Sequence, residues 1–276
     1  MRGQCMAGGA AMARTGSEDT LARGSFVRVL RAEALKSRHG APARLAIVLA
    51  LPFPLLAAFV ALSVPQFGLS YSPWNYWYAL LMPVSITLIA ATVANADARL
   101  GNHTLLSSGV PLHLAWGAKV AWCLALLLLS NLVVFAVYAV MSLVVPQGAA
   151  SMSAMLAVAL ALTVMGSWMI PATHFLTMRV GMLAGVFVPL AVQLALSLGW
   201  SVVPFWPACP PAATIVLPTA FLPVLPSGEP ASPGMALVES ISQGPDVALA
   251  LIVAAVLTAA LTAAGAMWLD RSEELR

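Results

Sequence analysis

The sequence predicts an all-α, multi-pass membrane protein with six transmembrane helices and both termini in the cytoplasm. Of its 276 residues, 61% are hydrophobic and only 8% are charged, whereas soluble domains carry roughly 25% charged residues. Six apolar runs reach the roughly 20 residues that a helix needs to cross the hydrocarbon core of a bilayer. The Lys and Arg residues lie on one side of these runs.

The six runs contain no Asp, Glu, Lys or Arg. They extend over Leu45–Val64, Tyr76–Ala94, Val120–Val145, Met155–Thr177, Val180–Leu198 and Val247–Trp268. All 13 Lys and Arg residues lie before the first run, in the second and fourth loops, or after the last run. Cytoplasmic loops are enriched in Lys and Arg, so the first, third and fifth loops are expected outside. The fifth loop carries Glu229, Glu239 and Asp246.

The N-terminal region has two parts. Residues 1–24 contain no signal-peptide core, and we expect a disordered tail or a start codon placed too early. Residues 25–44 predict a cytoplasmic interfacial helix, because Phe26 and Leu30 recur at helical spacing with Glu33 and Lys36 nearby. A merely basic flank that orients the first span is the alternative. Residues 269–276 form a short cytoplasmic tail.

A polar segment of about 25 residues, NADARLGNHTLLSSGVPLHLAWGAK, separates the second and third predicted spans. Asn102 or Thr104 can cap a short helix, and Leu105 and Leu106 would give that helix an apolar tip. Gly109 and Pro111 would end it. The alternative is a solvated loop with an interfacial aromatic residue. The remaining charged positions of interest in this segment are Asp97, Arg99 and Lys119.

Residues 199–246 are the longest predicted outer region and are rich in proline. The apolar stretch inside this region is too short to span and is broken at Pro218 and Pro223. Irregular backbone at membrane depth survives only when protein or water satisfies it. We therefore expect short broken helices that dip from the outer face, with Trp200 and Trp206 in the interfacial belt. A disordered proline-rich linker is the alternative.

Small residues on two spans predict close helix packing, within the chain or between chains. They are Gly181 and Gly185 in the fifth span, and Ala255, Ala259 and Ala263 in the last.

Several chemical functions are disfavoured by the residues present. The sequence holds no phosphate-binding P-loop, and its three cysteines lie at different depths, which gives no disulfide framework or metal cluster. His174 is the titratable residue within a span, and we expect a helix-end imidazole that reaches interfacial water rather than a proton relay. Ser167 precedes it by seven residues, about 10 Å along a helix, too far for a serine–histidine pair. We expect no enzyme activity, no resident cofactor and no nucleic-acid partner.

The chain resembles the membrane subunits of ABC-2 type transporters, most closely the lantibiotic-immunity permease family. The likeness covers roughly Arg31–Val145, and its motifs are loose. The matching motifs are Glu33-Ala-Leu-Lys36-Ser-Arg38, Trp74-Asn75-Tyr76-Trp77-Tyr78, Leu80-Leu81-Met82-Pro83, and the loop with Asp97, Arg99, Leu105-Leu106, Pro111 and Lys119. Family members tend to have Glu where this chain has Asp97, and often an aromatic residue near Leu105.

The resemblance implies a six-span permease domain over residues 45–268 in a bacterial cytoplasmic membrane. The loop between the second and third spans would dock on a separate ATPase that uses ATP and Mg²⁺. The N-terminal helix would help to seat that ATPase, and residues 199–246 would form a re-entrant roof. A second permease would complete the exporter, and the cargo would be a lantibiotic-type, hydrophobic or cationic peptide. The alternatives are a lipid or drug cargo, or a non-transporting immunity or scaffold protein that sequesters a bacteriocin.

Overall fold

A computed structural model describes residues 26–37, 40–98, 111–232, 234–242 and 245–274. The predicted tail at residues 1–24 lies outside these ranges, as does the centre of the polar segment at residues 99–110. Within the described ranges the chain is helical, and its only β pairing is an isolated bridge between Val224 and Pro230.

Within the described ranges, five helical segments are long and apolar enough to cross a membrane. They are Ala41–Ser63, Ser72–Ala96, Leu112–Val144, Met152–Arg179 and Asp246–Arg271. The length and composition of these helices make the chain an all-α, multi-pass membrane protein. The predicted fifth span corresponds to an apolar helix of only 17 residues, Met182–Leu198.

The N-terminal part contains helix α1 (residues 26–37) and a first candidate span in two pieces, α2 (Ala41–Val48) and α3 (Pro52–Ser63). The helix is interrupted at residues 49–51 because Pro52 has no backbone N–H to donate to the preceding turn. The hydroxyl of Ser130 donates to the carbonyl of Ala46 at 2.8 Å. This bond ties the broken segment to the third candidate span.

The second candidate span changes its helical pitch midway. Helix α4 (Ser72–Tyr76) continues through one π-helical turn, Trp77–Leu81, into α5 (Met82–Ala98). Pro83 follows this turn and cannot make the regular backbone bond, and such wider turns accommodate an unpaired carbonyl inside a helix. The wider turn places Trp77 and Tyr78 in the core, where both are fully buried.

The third candidate span, α6 (Leu112–Val144), has 33 residues, which corresponds to about 50 Å of helix. It begins at Leu112 rather than at the predicted Val120, so the last part of the polar segment is helical. Leu112, Ala115, Trp116 and Lys119 are buried at spacings of three, one and three residues, which places them on one helix face. Packing of that face explains why a polar sequence forms helix here.

The fourth candidate span consists of α7 (Met152–Gly166) and α8 (Met169–Arg179), with a turn at Ser167–Trp168. Ser151 caps its start by accepting a bond from the N–H of Ala154 at 3.2 Å. The turn precedes Pro171, whose ring and missing N–H prevent a regular helical bond to Ser167.

Helix α9 (Met182–Leu198) follows Gly181, whose φ of +126° is open mainly to glycine. It folds back on α8, and a side chain at Gly185 would overlap Thr177. The predicted glycine pair therefore serves packing within the chain at Gly185 and a reversal of direction at Gly181.

The outer region consists of short helices and turns. Besides the 3₁₀ turns Trp200–Val202, Trp206–Ala208 and Leu217–Ala220, it contains α10 (Pro210–Val216) and α11 (Ala236–Ser242). Every residue of α10 is buried. This helix packs against α7, α9 and the last helix, so its apolar residues are covered by protein.

The last helix, α12 (Asp246–Glu274), lies at the edge of the bundle. Only 11% of its most apolar 18 residues are buried, against 67% for Met152–Arg179. Ala255, Ala259 and Ala263 are exposed, so this stripe of small residues packs against no other helix of the described chain.

Candidate functional site

Helix α1 lies with one face against the start of α6. Glu33 and Ser37 on this face are buried, while Phe26 and Leu30 are half-buried. These four positions follow the i, i+4, i+7 spacing of one helix face. A Cβ at Gly117 would lie 3.6 Å from the ring of Phe26. The face that the sequence predicted for the interfacial helix is thus the face that contacts protein.

Glu33 joins α1 to α6 through an ion pair with Lys119. One carboxylate oxygen of Glu33 lies 3.4 Å from Lys119 Nζ, and the other lies 3.0 Å from Lys36 Nζ. The side chains of Glu33 and Lys119 are only 7% and 4% exposed, whereas that of Lys36 is 49% exposed. A buried charge is costly unless it is paired, and this ion pair offsets part of that cost for both residues.

A thiol and an imidazole lie one helical turn deeper. Cys123 Sγ lies 4.0 Å from His174 Nε2, and His174 Nδ1 lies 2.9 Å from the carbonyl oxygen of Ile170. A carbonyl only accepts, so Nδ1 carries a proton, and Nε2 faces the thiol. The expectation that His174 reaches interfacial water is wrong. Its ring is fully buried because α6 covers it.

Trp116 covers His174 at the basic end of the bundle, the end that is predicted to face the cytoplasm. The two rings meet edge to face with centroids 5.8 Å apart, and Trp116 Nε1 donates to the carbonyl of Thr262 at 3.0 Å. Phe175 and Trp268 form a second edge-to-face pair with centroids 5.1 Å apart. These contacts bind α6 and α8 to α12.

The structure brings four helices together at the basic end: α1, α6, α8 and α12. The sequence singled out Glu33, Lys36 and Lys119, and the structure pairs them. The sequence did not single out Cys123 or Trp116, whose side chains are both buried. These contacts form one junction of α1, α6, α8 and α12 at the basic end. Ser167 takes no part in it, because its hydroxyl pairs with Thr258 Oγ1 at 2.6 Å.

The predicted ATPase-docking loop ends at this junction, because Lys119 is its last residue. Helix α5 ends at Ala98, one residue after Asp97, and α6 begins after the exposed Pro111. Arg99, Asn102, Leu105 and Leu106 lie outside the described residues.

A chain of buried hydrogen bonds crosses the middle of the bundle. Trp77 Nε1 donates to Asn131 Oδ1 at 3.1 Å, and Asn131 Nδ2 donates to Thr163 Oγ1 at 3.1 Å. The Thr163 hydroxyl donates to the carbonyl of Ala159 at 2.9 Å. Because each polar group has a partner, this chain fixes the register of the second, third and fourth candidate spans.

The opposite end of the bundle is closed by aromatic side chains. Tyr71 stacks on Tyr138 with centroids 5.2 Å apart, and Tyr138 lies 4.6 Å from Trp74. The hydroxyl of Tyr71 accepts a bond from the N–H of Ala150 at 2.7 Å. Burial raises the pKa of Tyr71, and the bond from Ala150 opposes this shift. These contacts join the loops that follow the first and third candidate spans.

The outer region lies at this aromatic end. The side-chain amide nitrogen of Asn75, Nδ2, donates to the carbonyl oxygens of Leu225 and Pro226 at 3.3 Å and 3.4 Å. Among the predicted site residues of this region, Trp200 and Trp206 are half-buried, Pro218 is buried, and Pro223 is exposed.

Comparisons of the chain with protein-family models, with curated proteins and with solved structures found no match.

Proposed function

We propose that the chain is the membrane permease subunit of an ATP-driven exporter of the ABC-2 type. In this proposal Met182–Leu198 is a short fifth span beside the five longer ones. Both termini face the cytoplasm, and the membrane is the inner membrane of a bacterium. A separate ATPase binds ATP and Mg²⁺, and a second permease, either identical or a sister subunit, completes the pore.

The observation that carries the proposal is the ion pair between Glu33 and Lys119. The family resemblance assigns ATPase contact to two separate segments, the N-terminal helix and the loop before the third span. In this chain α1 is fastened to the helix that follows that loop, through two charges that are both nearly inaccessible to solvent. An ATPase that contacts both segments would therefore displace α1 and the start of α6 together.

The helices behind this junction provide a route into the membrane. Lys119 lies near the start of α6, a helix of 33 residues that reaches the aromatic end, and Trp116 connects α6 to α12 through Thr262. A displacement at the junction moves α6 as a unit because a continuous helix transmits motion along its axis. ATPase closure would thereby shift α6 and α12 relative to the rest of the bundle and open an outward path.

The proposed cargo is a lantibiotic-type antimicrobial peptide, expelled for self-protection. The predicted spans carry no Asp, Glu, Lys or Arg, so recognition within the membrane would rest on shape and aromatic contact. Glu229, Glu239 and Asp246 give the outer region an acidic character, which attracts a cationic peptide.

The test is to change both Leu105 and Leu106 to Asp and to measure co-purification with the ATPase. Burial of one leucine contributes about 1.5–3 kcal/mol, so loss of both contacts should weaken ATPase binding at least about 100-fold. Val202 and Phe205 are exposed apolar residues at the opposite end, and changing both to Asp gives the matched control. The proposal fails if the loop variant retains its ATPase and supports full ATP-dependent resistance.

A further inference from the structure

Cys123 on α6 and His174 on α8 form a buried pair of metal-ligating side chains that the proposed transport does not use. The two residues are only 1% and 0% exposed. Cys123 Sγ and His174 Nε2 are 4.0 Å apart, which is too far for a strong hydrogen bond. The fold therefore brings a thiol and an imidazole together without joining them tightly to each other.

The backbone of α8 orients the imidazole toward the thiol. His174 Nδ1 donates to the carbonyl of Ile170 at 2.9 Å, one turn earlier on the same helix. When the ring carries a single proton, that proton is on Nδ1, and the lone pair of Nε2 faces Cys123 Sγ. Histidines that bind metals use such a bond from the other ring nitrogen to fix the ring. The imidazole is thus preorganised to donate its lone pair on the side of the thiol.

The separation of the two atoms fits one bridging ion. By the values for zinc, bonds from a metal of this size to cysteine sulfur and histidine nitrogen are about 2.3 Å and about 2.0–2.1 Å. An ion in line between the two ligands would therefore hold them about 4.3–4.4 Å apart. A bend at the ion reduces this distance to the 4.0 Å of the structure, so that α6 and α8 keep their spacing.

The number of ligands favours a soft monovalent ion over zinc. Among the residues that the structure describes, no group of three or more His, Cys, Asp or Glu side chains could hold a metal ion. Structural zinc sites have four ligands. The cuprous ion, in contrast, binds well to two ligands and prefers thiolate sulfur.

The charges around the pair lead to the same ion. Lys119 lies one turn before Cys123 on α6, but its ammonium group is paired with Glu33 at 3.4 Å, and that pair has no net charge. A cuprous ion between a thiolate and a neutral imidazole also forms a centre without net charge. Zinc would leave one positive charge beside Lys119, and an uncompensated buried charge is costly.

We infer that Cys123 and His174 bind one cuprous ion between α6 and α8. On binding, the Cys123 thiol releases its proton to solvent, a sulfur–copper bond forms, and Nε2 gives its lone pair to copper. No electron is transferred, because the ion enters as Cu(I). The bound ion joins α6 to α8 next to the basic junction. This site goes beyond the proposed function and depends on neither the ATPase nor the cargo.

The experiment measures the copper retained by full-length protein in nanodiscs. One protein keeps Cys123 as its single cysteine (Cys5→Ser with Cys209→Ser), and a second keeps Cys209 (Cys5→Ser with Cys123→Ser). Cys209 is a free, half-buried cysteine and serves as the matched control. A third protein adds His174→Gln to the first. Copper is offered during expression and again as Cu(I), without oxygen, to the purified protein together with a competing chelator.

The protein with Cys123 should retain one copper ion per chain, and its X-ray absorption spectrum should show one sulfur and one nitrogen ligand. The protein with Cys209 should retain none at the same chelator concentration. His174→Gln should lower the affinity at least about tenfold, since even groups that only orient a metal ligand contribute about 10–100-fold. Zn²⁺ offered in the same way should not be retained. Circular dichroism and size-exclusion chromatography check that the variants are folded.

Absence of copper from the Cys123 protein after loading by both routes would overturn the inference, as would equal retention by the Cys209 protein. Two sulfur ligands would also overturn it, because they would place the ion between two chains. Equal retention of Zn²⁺ would refute the assignment to a monovalent ion. The X-ray absorption spectrum requires no change at either ligand, so it decides the question even if His174→Gln does not fold.

Discussion

Glu33 and Lys119 are buried in spite of their charges, and their mutual contact is what makes this burial possible. Removing one partner of a buried ion pair leaves the other charge uncompensated, which costs about 3–5 kcal/mol. Lys36 cannot replace Lys119, because Lys36 lies on α1 itself and is half-exposed. The ion pair between Glu33 and Lys119 therefore contributes to the attachment of α1 to α6.

We expect Glu33→Gln to release α1 from α6. The measurement is the rate of disulfide formation between Phe26→Cys and Gly117→Cys, two positions in contact, in a background without native cysteines. The rate should fall in Glu33→Gln and recover when the charges are exchanged in Glu33→Lys with Lys119→Glu. Arg31→Gln changes an exposed charge on the same helix and should leave the rate unchanged. An equal rate in Glu33→Gln would show that the ion pair does not hold the helix.

Tyr71 should make the stability of the protein depend on pH in the alkaline range. Its folded-state pKa is raised by burial, so its contribution to stability is present below the unfolded pKa of about 10 and is lost as pH rises through the higher folded value. Tyr71→Phe should remove this alkaline loss. At neutral pH it should destabilise the protein by about 1 kcal/mol, because the N–H of Ala150 loses its acceptor.

Thermal unfolding of Tyr71→Phe and wild type between pH 7 and pH 11 checks this prediction. Tyr76→Phe, at an exposed tyrosine, is the control. Parallel curves for wild type and Tyr71→Phe across this range would contradict the assignment.

At the scale of the element, the close contact between α8 and α9 depends on the absence of a side chain at Gly185. Gly185→Val would overlap Thr177, and overpacking of this kind costs about 1–3 kcal/mol. Ala191→Val adds bulk to an exposed position of the same helix and should be nearly neutral. The midpoint of thermal aggregation, followed by size-exclusion chromatography, distinguishes them. Equal midpoints would mean that the two helices do not pack as described.

The helices differ in how far their sequences predict them. Long apolar runs predict the middle of each long helix, because burial in lipid depends on composition alone. The start of α6 was missed because His113 and Lys119 lower the local hydropathy, while the contacts that bury this turn come from α1, α8 and α12. The interruption at Pro52 and the turn before Pro171 both follow a rule that acts locally.

The candidate site was likewise predictable only where a local sequence pattern marks a residue, and not where contacts between distant residues decide. Glu33, Lys36 and Lys119 were identifiable as charges beside apolar segments. Phe26 and Leu30, predicted to lie on the membrane surface, are half-buried on the same face as the buried Glu33 and Ser37. The pairing of Glu33 with Lys119 was not predictable, because the two residues are far apart in sequence and no local pattern relates them. Cys123 gave no signal, since a thiol in an apolar run resembles any other small core residue.

For the whole molecule, the basic junction and the aromatic end should lie on opposite sides of the membrane. Single cysteines at Ser151 and Ser232, which are exposed at the aromatic end, should react with an impermeant reagent in intact cells. A cysteine at Ser107 should react only after the membrane is permeabilised, because the positive-inside rule places that loop in the cytoplasm. Labelling of Ser107→Cys in intact cells would reverse or refute the topology.

Survival of a sensitive bacterial host shows whether this chain expels a peptide with energy from a partner ATPase. The chain, its ATPase and any sister permease are expressed together, and killing is measured with a panel of lantibiotics and with unrelated lipophilic drugs. We expect protection against a lantibiotic, and we expect it to disappear when the ATPase is catalytically dead although still bound. Protection that persists with the dead ATPase would contradict export and indicate sequestration, and resistance confined to the drugs would contradict a peptide cargo.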